Sequence, residues 1–251
     1  MAFARKQRLI DLNRKLQEKC PMLTMELGLF SEMGARENVS FYEKNTELPI
    51  YLLCLNIKKN GKTHCISSIS CKLSRNEMEI SSKTHREHEG KKYNLLLRSA
   101  MILLAHHMRP ITKVVSRAIN PISAFSMVKY FNAHNVDLNK YMEENEIDPG
   151  KITLVDIQNF FDEKNDLGMN VEMTEEEEAA LMMENEDFGN ITTLIVDLND
   201  AETIQKTIKT FEDTLQRVGC TEGKGTKKRR KTRKSRKSRK SRKSHSYTER
   251  K

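Results

Sequence analysis

The chain has 251 residues, enough for one domain of ordinary size with extensions, and a net charge of +9. Residues 224–251 hold 16 Lys or Arg and one Glu, a net charge of +15, which leaves −6 for residues 1–223. Any contact with nucleic acid is therefore assigned to the basic tail. No apolar run approaches the roughly 18 residues of a membrane span, and the start lacks the apolar core of a signal peptide, which excludes spanning and secreted proteins.

The first part of the chain predicts a helix followed by an antiparallel meander. Ala4–Cys20 is typical of a peripheral helix, and residues 38–42 are typical of a short edge strand. The nearly continuous apolar run at 50–57 predicts a buried strand. Asn60-Gly61 then predicts a tight hairpin, and alternating apolar residues over 64–73 predict the returning strand.

A strand-helix-strand-helix unit is predicted after this meander. Residues 77–83 alternate polar and apolar, and the polar turn His85–Gly90 follows them. The pattern then indicates a helix over Lys91–His107, a short strand over Ile111–Val115 and a helix from Asn120 to Tyr130. Parallel pairing of the two strands is the expected arrangement of such a unit.

The turn before the first of these helices has the composition of an anion site. Gly90 stands at a strand-to-helix junction, where backbone N–H groups at the helix start point outward and hold anions such as a pyrophosphate. Lys91 and Lys92 add positive charge beside it.

This segment resembles the cofactor signature of the GNAT superfamily, the acetyl-CoA-dependent N-acyltransferases. Their signature, Arg/Gln-x-x-Gly-x-Gly/Ala between a strand and a long helix, is matched here by Glu87-His88-Glu89-Gly90-Lys91-Lys92, and Asn120 opens the second helix. The resemblance covers residues 38–135. Glu87 and Lys92 depart from the family pattern, since they replace Arg/Gln and the second small residue. The sequence also resembles uncharacterised proteins of large DNA viruses that combine this core with a basic tail.

The resemblance implies acetyl-CoA as the acyl donor and an amine as the acceptor. It places residues along the pantetheine arm and around the pyrophosphate: Ser81, Ser82 and Lys83, and Gly90, Lys91, Lys92, Tyr93 and Asn94. It also implies catalytic positions at Glu79 as the base, at Tyr130 as the acid and at Asn120. A solvated Glu79 and a packed Tyr130 are the alternatives.

The end of the chain predicts an acidic insertion, a last strand and helix, and a tail. Acidic residues dominate 162–190, Ile191–Leu198 reads as a strand, and Asp200 caps a helix that reaches about Val218. The repeated Arg-Lys-Ser of 219–251 is expected to be disordered, to bind polyanions such as nucleic acid, and to act as a nuclear-import signal. We therefore expect an N-terminal helix over 1–21, a domain over 22–218 and this tail.

Cysteine and histidine usage favours an intracellular protein without a metal. His85 and His88 lack the paired second half of a zinc site. The cysteines are odd in number and in mostly apolar contexts, which predicts reduced thiols: Cys20, Cys54, Cys65, Cys71 and Cys220. The expected compartment is the cytoplasm or nucleus of a host cell, with virion association as the alternative.

Taken together, these patterns predict an α/β (α+β) fold with a GNAT-like mixed sheet, in which an antiparallel meander precedes a βαβα unit with flanking helices. The predicted function is N-acetyl transfer from acetyl-CoA to an amine. The alternative is a non-enzymatic viral or nuclear protein that associates with nucleic acid on a degenerate GNAT-like scaffold. An unrelated α+β fold is the third reading.

Overall fold

The computed structural model of the chain describes residues 2–29, 50–118, 120–169 and 192–218. Met1–Cys220 form one compact unit. Its strands are β1 (Leu23–Leu29), β2 (Ile50–Lys59), β3 (Lys62–Ser74), β4 (Glu77–Thr84), β5 (Lys113–Ala118) and β6 (Thr192–Asp197). Its helices are α1 (Ala2–Lys19), α2 (Tyr93–His106), α3 (Pro121–Phe131), α4 (Val136–Glu144), α5 (Leu154–Met169) and α6 (Ala201–Arg217).

The six strands form one mixed sheet in the order of the chain. β1 to β4 pair antiparallel as a meander, β4 and β5 pair parallel, and β6 pairs antiparallel with β5. The predicted mixed α/β fold, with its meander and its strand-helix-strand-helix unit, is thus confirmed. The β2–β3 hairpin turns at Asn60 and Gly61, which have φ of 51° and 75°, because Asn-Gly tolerates the positive φ that a two-residue hairpin requires.

Several elements differ from the sequence-based expectation. β1 was not predicted, although its inward residues Leu23 and Met25 are buried. The strand expected over 111–115 begins at Lys113, because the chain after Pro110 first runs past Asn76, whose carbonyl accepts from the Thr112 amide. α4 was not predicted, and α5 extends into the acidic insertion expected over 162–190. The predicted edge strand at 38–42, most of the acidic insertion and the basic tail lie outside the described residues.

Helix α2 lies at the centre of the core. Eleven of its residues are buried, from Tyr93 at its start to Ala105 near its end. It packs on β2, β3 and β4 with one side and on α1 and α6 with the other. This double packing explains why its sequence is amphipathic at first and nearly all apolar later.

The cysteines divide between two states. Cys54, Cys65 and Cys71 are buried thiols, as expected. Cys20 is disulfide-bonded, so the expectation of reduced thiols is wrong for that residue. Cys220 lies outside the described residues.

Replacement of Leu97 by alanine is expected to lower the free energy of unfolding by about 3 kcal/mol, because a fully buried leucine leaves a cavity when truncated. Urea denaturation measures this change. Ile10→Ala is the matched control, since Ile10 is 49% exposed on α1, and it should cost less than about 1 kcal/mol. Equal losses in the two variants would contradict the central position of α2.

Candidate functional site

A gap opens between β4 and β5 at their carboxyl ends. The two strands pair from Glu77 opposite Lys113 to Ile80 opposite Ser116. Beyond that point β4 continues to Thr84 along β3, and β5 continues to Ala118 along β6. The residues 81–84 and 117–118 therefore border what we call the strand-end cleft. In open α/β sheets, ligands bind outside the carboxyl ends of parallel strands.

The glycine turn leads from this cleft into α2. A short 3₁₀ turn over Arg86–His88 is followed by Gly90 with φ of +76° and by Lys92 with φ of 63°. A Cβ built on Gly90 would meet nothing within 4 Å, so glycine is needed there for its backbone conformation and not for space. Lys92 occupies the N-cap of α2, and its side chain makes no capping hydrogen bond. The positive end of the helix is thus left without a side-chain cap.

The residues predicted around a pyrophosphate lie together at this turn. Gly90 and Lys92 are exposed, and Lys91 is half-buried. Tyr93 and Asn94 begin the helix. The Tyr93 side chain belongs to the core, where burial raises its pKa, so it would serve a ligand only through its backbone. The long Lys92 side chain, which replaces the second small residue of the family signature, is exposed to solvent.

Two polar atoms beside the turn are unsatisfied. Within the part of the chain that the structure describes, His88 Nδ1 and Asn94 Oδ1 are buried and have no hydrogen-bond partner. Buried polar groups in folded proteins are nearly always paired, with protein or with water. These atoms are therefore positions at which a ligand or a water molecule would gain a hydrogen bond.

Arg98 is a buried cation that spans the cleft. It is 7% exposed, and its Nε and Nη2 donate to Ser82 Oγ on β4 at 3.2 and 2.9 Å. Nη2 also donates to Ser123 Oγ on α3 at 2.8 Å. Among the residues with described coordinates, no carboxylate forms an ion pair with it. Burial lowers the pKa of Arg98 to about 10, so the side chain is still cationic at neutral pH.

Sequence analysis did not identify Arg98 as a site residue. The signal was present, because Arg98 is the only charged residue between Tyr93 and Ala105, in an otherwise apolar stretch of helix. Such a residue is rarely buried unless it has partners. Ser82, which the resemblance placed along the pantetheine arm, accepts the hydrogen bonds of Arg98. Ser81 and Lys83 are exposed at the end of β4, where they were expected.

Glu79, the predicted base, is engaged in an ion pair. Its Oε1 lies 2.9 Å from Arg117 Nε on β5. Glu77 and Lys113 form a second ion pair between the same two strands, at 3.3 Å. Both pairs are partly exposed, so each contributes less than about 1 kcal/mol to stability. They join the two parallel strands just before the strands separate.

The other predicted catalytic positions lie at opposite ends of α3. Asn120 is the N-cap, and its Oδ1 accepts from the Ser123 amide at 2.8 Å. Tyr130 follows ten residues later, about 15 Å along the helix axis. Its side chain packs against the core, and its carbonyl accepts from Thr210 of α6. The structure therefore does not bring Tyr130 to the strand-end cleft.

A pocket of about 520 Å³ lies at the far end of α3, between α4 and α6. Its lining includes His134, Glu143, Glu202 and Lys206. Lys206 donates to Asn132, and burial lowers the pKa of this lysine. None of the site residues predicted from the sequence lines this pocket, and the Gly90 turn does not border it. The pocket is therefore separate from the strand-end cleft.

The described residues form neither a metal-binding cluster nor a membrane-spanning helix. Across residues 2–29, 50–118, 120–169 and 192–218, no group of three His, Cys, Asp or Glu side chains is arranged to hold a metal ion. None of the helices in these ranges is long and apolar enough to cross a membrane.

Stability is expected to fall as the pH is lowered from 7 towards 5. Partial burial lowers the pKa of His88, and Lys91 lowers it further. The unfolded chain therefore takes up a proton at its ordinary pKa of about 6.5, while the folded chain resists protonation. Stability that is fully present above that pH is lost below it. Urea denaturation at a series of pH values should show a weaker acid sensitivity for His88→Gln than for the native chain.

The control for this measurement is His64→Gln, because His64 is exposed at the hairpin tip. His107, whose pKa is also lowered by burial, contributes equally in both variants. An unchanged acid sensitivity in His88→Gln would show that His88 is not the residue responsible.

Comparisons with known proteins assign no family to this chain. No protein-family model matches it. A search of curated proteins found no match.

Proposed function

We propose that the protein is an N-acyltransferase that binds acetyl-CoA at the strand-end cleft and transfers the acetyl group to an amine. The observation that carries this proposal is the separation of two parallel strands beside a helix start that has no side-chain cap. Strand ends that no longer pair, beside a helix start whose N-cap side chain makes no capping hydrogen bond, together suit a long ligand with a phosphate-bearing end.

The glycine turn would hold the phosphates. Gly90 leaves open space, the backbone amides at the start of α2 carry partial positive charge, and Lys91 and Lys92 add full charges. The unsatisfied Nδ1 of His88 would donate to a phosphate oxygen in the tautomer that protonates it, whereas Asn94 Oδ1 only accepts and would suit an N–H or O–H group of the ligand. Ser81 and Lys83 at the end of β4 would border the thioester arm.

In the proposed reaction, the acetyl thioester supplies an activated carbonyl carbon. The amine nitrogen forms a bond to that carbon, the carbon–sulfur bond breaks, and the proton lost by the amine ends on the departing thiolate. Glu79 is the proposed proton acceptor. Only the neutral amine has the lone pair that attacks, so Glu79, which is paired with Arg117, would take the single proton that then passes to the departing thiolate. Tyr130 lies too far along α3 to be retained as the acid.

Acetyl-CoA is expected to bind residues 1–220 saturably and with little salt dependence, and Gly90→Glu is expected to abolish this binding. The new carboxylate would repel phosphate, and a non-glycine residue is strained at a φ of +76°. Isothermal titration measures the affinity. The tail is omitted because its +15 charge attracts CoA phosphates non-specifically.

Gly61→Glu is the matched control for this titration. Gly61 also has a positive φ and open space, but it lies at the hairpin tip. Binding that survives Gly90→Glu, or that is lost equally in Gly61→Glu, would contradict the proposed phosphate site.

A second function, nucleic-acid association without catalysis, is favoured by the contacts that cross the cleft. Arg98 ties β4 to α3, and the Glu79–Arg117 pair ties β4 to β5. If these contacts persist, the cleft serves the fold and not a cofactor. The basic tail would then determine what the protein binds.

For this second function, deletion of residues 224–251 is expected to remove most of the nucleic-acid affinity and to flatten its dependence on salt. The reason is that 16 Lys or Arg residues release phosphate counterions on binding. Fluorescence anisotropy with a labelled duplex at several KCl concentrations measures both quantities. Unchanged affinity after the deletion would exclude the tail as the interface.

A further inference from the structure

We propose that the folded body carries its own binding surface for duplex nucleic acid, separate from the tail. This hairpin surface consists of Lys58, Lys59 and Lys62 at the β2–β3 tip, and of Lys83, Arg86, Lys91 and Lys92 around the glycine turn. The inference requires neither acetyl-CoA binding nor residues 224–251.

The hairpin tip projects beyond its neighbouring strands. β2 and β3 stay paired up to Lys59 opposite Lys62. On one side, β1 reaches only as far as Ile57, and on the other side β4 ends opposite Ser67. The Lys58 amide still donates to the Met22 carbonyl, so the hairpin extends past both neighbouring strands from Lys59 to Lys62 and carries three lysines at this end.

The glycine turn packs beside this ribbon. The His85 amide donates to the Ile66 carbonyl of β3 at 3.1 Å. Burial lowers the pKa of His88, and among its charged neighbours Lys91 and Lys59 lower it further, while Glu87 raises it. The hydrogen bond places the turn beside the base of the hairpin, and lysines from both segments lie near enough to His88 to act on it.

The surface is positive although the body is acidic. Residues 58–64 carry +3 and residues 83–92 carry +2, which leaves −11 for the rest of residues 1–223. The three hairpin lysines are exposed, and none of them forms an ion pair with another described residue. Their charges therefore face solvent and are free to contact a polyanion.

The chemistry of the surface favours a duplex over a single strand. Binding of single strands relies on aromatic side chains on which bases stack. Over the described ranges, the exposed large apolar residues are Ile10, Ile122, Val136, Leu154 and Val155, and none of these is aromatic or part of the hairpin surface. A two-stranded ribbon fits the major groove of a duplex, and its lysines reach the phosphates on either side.

The test compares two triple variants of the full chain with the native chain. One variant replaces the hairpin lysines (Lys58→Gln, Lys59→Gln and Lys62→Gln), and the control replaces three exposed lysines on the helical side (Lys140→Gln, Lys151→Gln and Lys209→Gln). Both lose the same charge. Anisotropy with a labelled duplex over several KCl concentrations gives the salt slope, and far-ultraviolet circular dichroism checks the fold.

The hairpin variant is expected to reduce the magnitude of the salt slope by about 2–3, at roughly 0.9 for each lost phosphate contact, and the control variant is expected to leave it unchanged. Equal changes in the two variants would overturn the proposal, because net charge alone would then explain binding. No change in either variant would also overturn it.

A polyglutamate chain that competes as well as unlabelled duplex would instead indicate an acidic protein partner. Because these lysines lie outside the predicted acetyl-CoA contacts, failure here is distinguishable from failure of the acyltransferase proposal.

Discussion

The burial of α2 is the constraint on which the rest of the structure depends. Because the helix packs on β2 to β4 with one side and on α1 and α6 with the other, its axis and both its ends are fixed. Its start fixes the glycine turn, its body carries Arg98 into the strand-end cleft, and its end directs the chain into β5. The candidate site thus takes its geometry from hydrophobic packing, and the polar residues are placed by that packing.

The local parts of this fold were predictable, and the long-range parts were not. The Asn60-Gly61 hairpin and the strand-helix-strand unit around Gly90 follow from turn chemistry and periodicity over short windows. β1 was missed because Gly28 and Glu26 interrupt its apolar pattern, and it is a strand because β2 pairs with it. The Arg98 bridge and the Glu79–Arg117 pair join segments that are distant in sequence, so a local pattern can mark Arg98 as a lone charge in an apolar helix but cannot identify the partners of either residue.

The charge of the folded surface, like the long-range contacts, could not be predicted from the sequence. Counted along the chain, the body has a net −6, and the basic tail alone indicates a polyanion partner. Folding brings 58–64 beside 83–92 through the His85–Ile66 hydrogen bond, and the lysines of both segments become neighbours. The surface potential of a protein depends on such neighbours and not on the sum of its charges. Lys91 and Lys92 belong to both the cofactor proposal and the hairpin surface, so a nucleotide cofactor and a duplex would exclude one another there.

The pairing of β5 with β6 also determines when the site can form during synthesis. The strands of the β2–β3 and β3–β4 hairpins are joined by short connections, but β6 is separated from β5 by the described helices α3, α4 and α5 and by further chain. Closing so long a loop is slow compared with hairpin formation. Because the end of β5 that does not pair with β4 pairs with β6, we expect the strand-end cleft to be completed only after β6 and α6 have emerged from the ribosome. A nascent chain that ends before residue 192 would then carry the glycine turn but lack a finished cleft.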